Sequence, residues 1–231
     1  ITDHDTLAAY TPELFEVSKS LGIELLVGVE LSTEYQGVPV HLLGYAIELA
    51  SSSFSCFLKS IREKRVERNR AILKRLKNLN IELDEKMLQG ETIGRPHIAK
   101  ALMDLGVVSS VQEAFQCYLK DGASCAVSGF RTTPAEAIQE IKRAGGKAVL
   151  AHPHFYPKGR FLKGLLNFPW DGIECYYSLL HKERELPWVE LTKKKGWIVT
   201  GGSDYHGSLK PQLSLGASWV GRESFDALCL R

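Results

Sequence analysis

The sequence has no CxxC pair and no apolar run approaching the ~18 residues of a membrane-spanning helix. Its best apolar stretches, residues 25–29 and 148–151, are only strand-sized. Five cysteines are an odd number without zinc-ribbon spacing, which argues against a disulfide frame and reads as reduced thiols of a cytoplasmic protein. Charge of one sign is also scarce: 29 basic against 27 acidic residues leave a net +2, too little for a whole-surface grip on nucleic acid. No G-x-S-x-G is present, so a serine nucleophile elbow has no support. No G-x-x-x-x-G-K-[ST] loop is present either, which disfavours ATP-driven phosphoryl transfer. Internal repeats and low-complexity tracts are missing, the first residue is not Met, and no signal peptide is expected from the residues that open the sequence. The chain opens on Ile1, and ITDHDT reads as the end of a buried strand, so the expectation is that part of the domain lies upstream.

What is there is ordinary globular material: 231 residues, 44% hydrophobic and 24% charged. Residues 1–50 alternate strand and helix, with a helix from Pro12, a strand over 25–31 and another over 38–47 after the Gln36-Gly37 turn. Residues 51–131 change character. A long helix starts at SSSF and runs to about Leu79, and two glycine-ended helical segments, RPHIAKALMDLG and VQEAFQCYLKDG, follow it. From Thr133 the alternation returns: a helix over 134–144, strands over 147–152 and 172–177, a helix from Pro187, then the strand and loop WIVTGGSDYH. Strands separated by helices of this size predict a parallel sheet or barrel. The expected architecture is an α/β barrel (residues 1–50 and 132–231) interrupted by a helical insertion domain (51–131).

The chemistry collects at the strands. Of seven histidines, His4, His41, His152 and His206 each fall at or just after a predicted strand, as do Asp3, Glu30 and Asp204. Parallel α/β folds gather their active sites at the C-terminal ends of strands, so these residues are expected to converge. Imidazole with carboxylate, and no nearby thiolate, suits a divalent Zn, Mn or Fe rather than a soft metal. One such histidine is more often a loop residue than a ligand. Four with three acids at successive strands predict a metal site.

The segments TDHDT (2–6), GVE (28–30), HLLGY (41–45), AHP (151–153) and GSDYH (202–206) resemble, in order, the polymerase-and-histidinol-phosphatase (PHP) family of metal-dependent phosphoesterases. The middle block, with Arg65, Arg68, Gly94-Arg95-Pro96-His97 and Ala144-Gly145-Gly146, is similar to the subgroup that dephosphorylates nucleoside 3′,5′-bisphosphates and trims short RNA from its 5′ end. The resemblance implies a distorted seven-stranded β/α barrel holding two or three divalent ions, manganese before magnesium, zinc or iron. It makes His4, Glu30, His41, His152, Asp204 and His206 the metal ligands, with Glu30 bridging two cations. Glu30, Asp204 and His206 are thereby the expected catalytic groups. An HxH pair and an acid that the family carries on its first strand have no counterpart here, and they are expected upstream of Ile1.

Several neighbours are open to two readings. Asp3 and Asp5 flank His4 and alternate away from it, which favours hydrogen bonds that fix its ring over direct ligation. His206 follows Asp204 by two, so an extended segment would point both to one face. His154 is expected as a loop histidine near the site. His181 resembles a rim position, where substrate contact and plain solvation weigh equally.

Between Lys59 and Lys77 lie nine Lys/Arg and two Glu, usually a solvated face. Arg65 and Arg68, however, continue the helical stripe of Ile61, Ile72 and Leu76. Arginines in a buried stripe need anionic company, and a phosphate supplies it bidentately. Arg95 and His97 sit at a helix start, itself friendly to phosphate, although His97 reads equally well as a packing residue there. The expected reaction is in-line attack by metal-activated water without a covalent enzyme intermediate, with Arg65, Arg68, Arg95, His97 and His181 contacting a nucleotide or short RNA substrate. No obligate protein partner is indicated. The competing expectations are an amidohydrolase-like barrel metallohydrolase and a non-catalytic, nucleic-acid-binding polymerase-accessory module.

Overall fold

The structure, a computed structural model, describes residues 1–88, 90, 92–127 and 132–230. Five strands, β1 (Gly28–Tyr35), β2 (Val38–Tyr45), β3 (Lys147–Leu150), β4 (Gly172–Tyr177) and β5 (Ile198–Gly202), form one sheet in sequence order. The helices are α1 (Pro12–Ser20), α2 (Ser52–Asn78), α3 (Arg95–Asp104), α4 (Val111–Ala114), α5 (Pro134–Arg143), α6 (Arg160–Leu165), α7 (Lys182–Lys195) and α8 (Arg222–Cys229). Backbone proximity divides the chain into two compact units, residues 1–57 with 132–231, and residues 58–131. No helix among the described residues is long and apolar enough to cross a membrane.

The sheet is mixed, which corrects the parallel expectation. β1 pairs with β2 and β2 with β3 antiparallel, while β3, β4 and β5 are parallel. The reason is the connection: only Gln36 and Gly37 separate β1 from β2, at φ 49° and 78°. Positive φ at both central residues is the hairpin turn that matches strand twist, and a two-residue link cannot make the crossover that parallel strands need. β1 therefore runs on to Tyr35, past the predicted end at residue 31.

Alternation along β1 sorts its side chains. Val29, Leu31 and Thr33 are buried at 0–1% exposure on one face, and Glu30 lies on the other. α5 packs against β1, β2 and β3 with Ile138 and Ile141 inward. Its start is fixed by Pro134 in the first turn and by a reciprocal cap, Thr133 and Glu136 each satisfying the other's amide. Leu43, Val149, Ala151 and Leu228 of α8 form a further apolar cluster in this unit.

The other unit has its own core, in which Ile72 and Leu76 of α2 pack with Ile98, Leu102, Ala114 and Leu119. α2 matches the predicted long helix. VQEAFQCYLKDG differs: α4 passes at Phe115 into a π-helical turn through Leu119. α7 also starts before Pro187 rather than at it, tolerating the one backbone bond that a proline cannot donate.

Candidate metal centre

Adjacent extended segments bring the first donors into a row. Residues 3–5 lie parallel beside β1: Asp5 N–H donates to Glu30 O at 2.9 Å and Glu30 N–H to Asp3 O at 3.0 Å. Gly28 permits that approach, since a Cβ there would sit 2.8 Å from the Thr2 side chain. On the other side of β1, Glu30 pairs with Leu43 and Ser32 with His41, so Glu30 and His41 are diagonal neighbours on one face. β3 then delivers His152, because Ala151 N–H donates to His41 O.

The side chains meet accordingly. Glu30 Oε1 lies 2.7 Å from His41 Nδ1 and 3.4 Å from His152 Nε2, and His152 Nε2 lies 3.2 Å from His41 Nδ1. His4 Nδ1 is 3.7 Å from Glu30 Oε2, and His4 Nε2 is 3.5 Å from His206 Nε2. Five of the six predicted ligands are thus linked by short approaches. Asp204 joins through its neighbour: its carbonyl is 2.7 Å from His206 Nδ1, and its carboxylate accepts from Tyr177 Oη at 2.8 Å and Lys210 Nζ at 2.7 Å. The Asp204–His206 segment is turned rather than extended, with Asp204 at φ 52°. The ring reaches back to its own strand end, which directs Nε2 toward His4.

Burial and charge act against each other here. Burial would raise the Glu30 carboxyl, but the imidazoles of His4, His41 and His152 hold it well below its ordinary range. Burial draws the His41 imidazole down despite Glu30. For His152 burial also pulls down, but bonding and charge from Glu30, with Glu174 and Asp204, give a net rise. These are the features of donors held close with little water.

The donor set fits a divalent cation. One ligand atom each from His4, Glu30 and His41 lies within 4.8 Å of the others. A shared cation needs donors at about 2.0–2.2 Å from it, hence up to about 4.4 Å apart, a difference that side-chain rotation closes. His4 Nδ1 is moreover buried without a hydrogen-bond partner, the condition of a nitrogen that a cation would satisfy.

Backbone strain marks the same place. Of six non-glycine residues at positive φ among those described, Asp5, His152 and Asp204 are in this site. Asp5 is fully buried and its carboxylate accepts Ser32 N–H at 2.8 Å, which ties the His4 segment to β1. His152, at φ 28°, is pinned by a residue that the motifs did not reveal. Glu174 of β4 accepts His152 N–H at 2.7 Å. Burial first, then Glu30 and Asp204, raise its carboxyl to about 7. Tyr156 is a second such support, its hydroxyl accepting His41 N–H at 3.0 Å. Glu174, Tyr177 and Lys210 carried no sequence signal beyond an acid inside GIECYY and a base six residues after Asp204. His154 packs between Phe155 and Tyr177, and burial lowers its imidazole to about 4. His181 is exposed at the N-cap position of α7.

The remaining predicted contacts belong to the other unit. Arg68 is buried at 7% exposure and donates to Asn69 Oδ1 at 3.2 Å. Arg65 passes over Gly94, where a Cβ would meet its Nη1 at 2.8 Å. Arg62, Arg65, Asn69 and Arg70 line a cavity of about 230 Å³. Arg95 donates to Leu119 O and pairs with Asp121, both at 3.1 Å. His97 serves α3 as a cap, its Nδ1 accepting Gly94 N–H at 3.1 Å, so a substrate contact would fall to Nε2.

No family model matches the chain. It is 32% identical over 216 residues to the 5′-3′ exoribonuclease Rnm of Escherichia coli, covering 89% of this chain and 74% of that protein. It is 32% identical over the same length to a 3′,5′-nucleoside bisphosphate phosphatase of Chromobacterium violaceum, covering 89% and 75%. Among solved structures, one described as a metal-dependent phosphoesterase from Bifidobacterium adolescentis superposes with TM-score 0.84 at 26% identity, over 99% of this chain and 83% of that one. An amidohydrolase from Chromobacterium violaceum, solved with sulfate and no metal, superposes with TM-score 0.85 at 29% identity, over 98% and 85%. With the His/Glu donor cluster on a mixed α/β sheet, these relationships define a metal-dependent hydrolase of phosphate esters. The chain belongs to the PHP family of phosphoesterases.

Proposed function

We propose that this phosphoesterase removes phosphate from nucleoside 3′,5′-bisphosphates and nucleotides from the 5′ end of short RNA, using two or three divalent ions with manganese preferred. The observation that carries it is the row His4–Glu30–His41–His152, continued by His206 and Asp204, in a chain whose relatives bear those two activities in their names. All six residues are proposed as ligands, with Glu30 bridging. Bound divalent cations would supply Lewis-acid activation of water and neutralise phosphate oxygens. The chain's own residues do the rest. Tyr177 and Lys210 orient the Asp204 carboxylate, and the Lys210 ammonium adds positive charge beside it. Glu174 fixes the His152 backbone.

Arg65, Arg68, Arg95, His97 and His181 are proposed to contact the phosphate that is not cleaved or the following nucleotide. Support comes from the family resemblance, for Arg65 from its place with Arg62 and Arg70 in the lining of the cavity of the helical unit, and for Arg68 from its near-complete burial. The finer architecture we propose is the family's seven-stranded barrel, of which the five paired strands and the His4 segment are parts, with residues 51–131 as an inserted domain. Five free thiols support a cytoplasmic setting.

The test is hydrolysis of adenosine 3′,5′-bisphosphate and a 5′-phosphorylated oligoribonucleotide with manganese, beside a panel of amides. Phosphate release from the bisphosphate and mononucleotide release from the oligoribonucleotide are expected, with no turnover of the amides. Turnover confined to amides would transfer the site to the amidohydrolase class.

A further inference from the structure

We infer that Phe155 is a stacking platform for the base of the substrate nucleotide, an inference that rests on the nucleotide reading above. Five rings cluster here, and four of them are buried or half-buried: His152 is 12% exposed at its side chain, His154 is half-buried, Tyr156 is 7% exposed and Tyr177 is 6% exposed. Phe155 is 61% exposed. An open phenyl ring is ordinary when isolated. This one is held in place on several sides. His154 lies 4.2 Å from it, Tyr177 meets it edge-on at 5.4 Å and 87°, and His152 lies 5.5 Å away.

The backbone beneath it is equally fixed. Pro153–Phe155 form one 3₁₀ turn, in which Phe155 N–H donates to His152 O at 3.1 Å. The next residue, Tyr156, anchors that turn on the His41 amide. A ring fixed in plane and orientation, open to solvent and one residue-turn from a proposed ligand suits a flat aromatic partner. In a nucleoside 3′,5′-bisphosphate the base stands one sugar away from either phosphate, and Phe155 stands one imidazole away from the donor row. Stacking tolerates every base, so this surface recognises nucleotides without selecting a sequence.

The experiment compares adenosine 3′,5′-bisphosphate with 1-O-methylribose 3,5-bisphosphate, which lacks the base. Both are measured on manganese-loaded wild type, Phe155→Ala, Phe155→Trp and Trp219→Ala, the last removing an aromatic that is 74% exposed elsewhere on the surface. Phe155→Ala is expected to lower kcat/KM for the adenosine compound roughly ten- to hundredfold, the size of one base–aromatic stack, and mainly through KM. The base-free compound should be unaffected. Phe155→Trp should retain activity, and Trp219→Ala should match wild type. An equal loss on both substrates, or none on either, overturns the platform. Calorimetric binding of the two compounds separates the two failures. If neither is hydrolysed but the adenosine compound binds through Phe155, the phosphatase reading falls and the platform stands. If the two bind equally, or neither binds, the platform falls.

Discussion

Replacing Glu174 should loosen the metal centre although Glu174 is not among the predicted ligands. Its carboxylate accepts the His152 amide at 2.7 Å and is 6% exposed, so no solvent takes its place when it is removed. A buried hydrogen bond is worth about 0.5–1.5 kcal/mol to a neutral acceptor and about 1.5–3 kcal/mol to an ionised one, which Glu174 becomes only as pH passes about 7. His152 is held at φ 28°, and a residue in such a region stores about 1–3 kcal/mol that its contacts must outweigh. Glu174→Ala removes the contact, His152 relaxes toward ordinary backbone, and its Nε2 leaves the 3.2–3.4 Å positions beside His41 and Glu30. Loss of such a supporting partner typically weakens metal affinity ~10–100-fold. Glu174→Gln keeps an oxygen acceptor at the same reach and should recover most of the affinity. Manganese titration of chelator-treated protein measures this directly, with thermal unfolding of the metal-free forms as a check on the fold. Equal manganese affinity in wild type and Glu174→Ala would refute the reasoning, as would a Glu174→Gln form as weak as Glu174→Ala.

His41→Ala and Asp204→Ala should each lower the bound metal per chain while the far-ultraviolet spectrum is kept, and unchanged stoichiometry with full activity would remove them from the ligand set. Arg68→Ala should reduce kcat/KM for a nucleoside 3′,5′-bisphosphate relative to a monophosphate by roughly ten- to hundredfold, as a desolvated charged contact implies. Exposed Lys74 is the internal comparison: Lys74→Ala should leave that ratio alone, and a ratio within about twofold of wild type in Arg68→Ala excludes the clamp. In the metal-free protein Glu174 should withdraw stability as pH rises, against His154, whose lowered imidazole adds stability between about 4 and 6.5. Glu174 titrates near 7 when folded against an ordinary 4.5, so between those values the folded state keeps a proton that the unfolded chain gives up. The contribution of Glu174 is then greatest below about 4.5 and falls on the order of 3 kcal/mol by pH 7. Urea unfolding of wild type and Glu174→Gln across that window should diverge, and parallel curves would contradict the assignment.

Local pattern alone determined much of this protein. The capped start at Thr133-Pro134, the long α2 stripe and the Gln36-Gly37 turn are set by residues within a few positions of one another, and short-range propensity is what a sequence displays. The six proposed ligands were likewise legible, because their residue types are rare, clustered at strands and ordered as in a known family. Tertiary structure decided which face and which neighbour each one has. Glu30 and His41 meet because the two-residue turn forces an antiparallel register, and that register places them diagonally rather than at two parallel strand ends. Glu174 reaches His152 across 22 residues and Tyr177 reaches Asp204 across 27, separations over which alternation states only that a side chain faces inward. Arg95 shows the converse: chosen by motif, it is tied to Leu119 and Asp121, 24 and 26 residues away, by contacts that only folding creates. A side chain's type is written in the sequence. Its partner is fixed by the free energy of the whole packed chain, in which unsatisfied buried groups are too costly to leave.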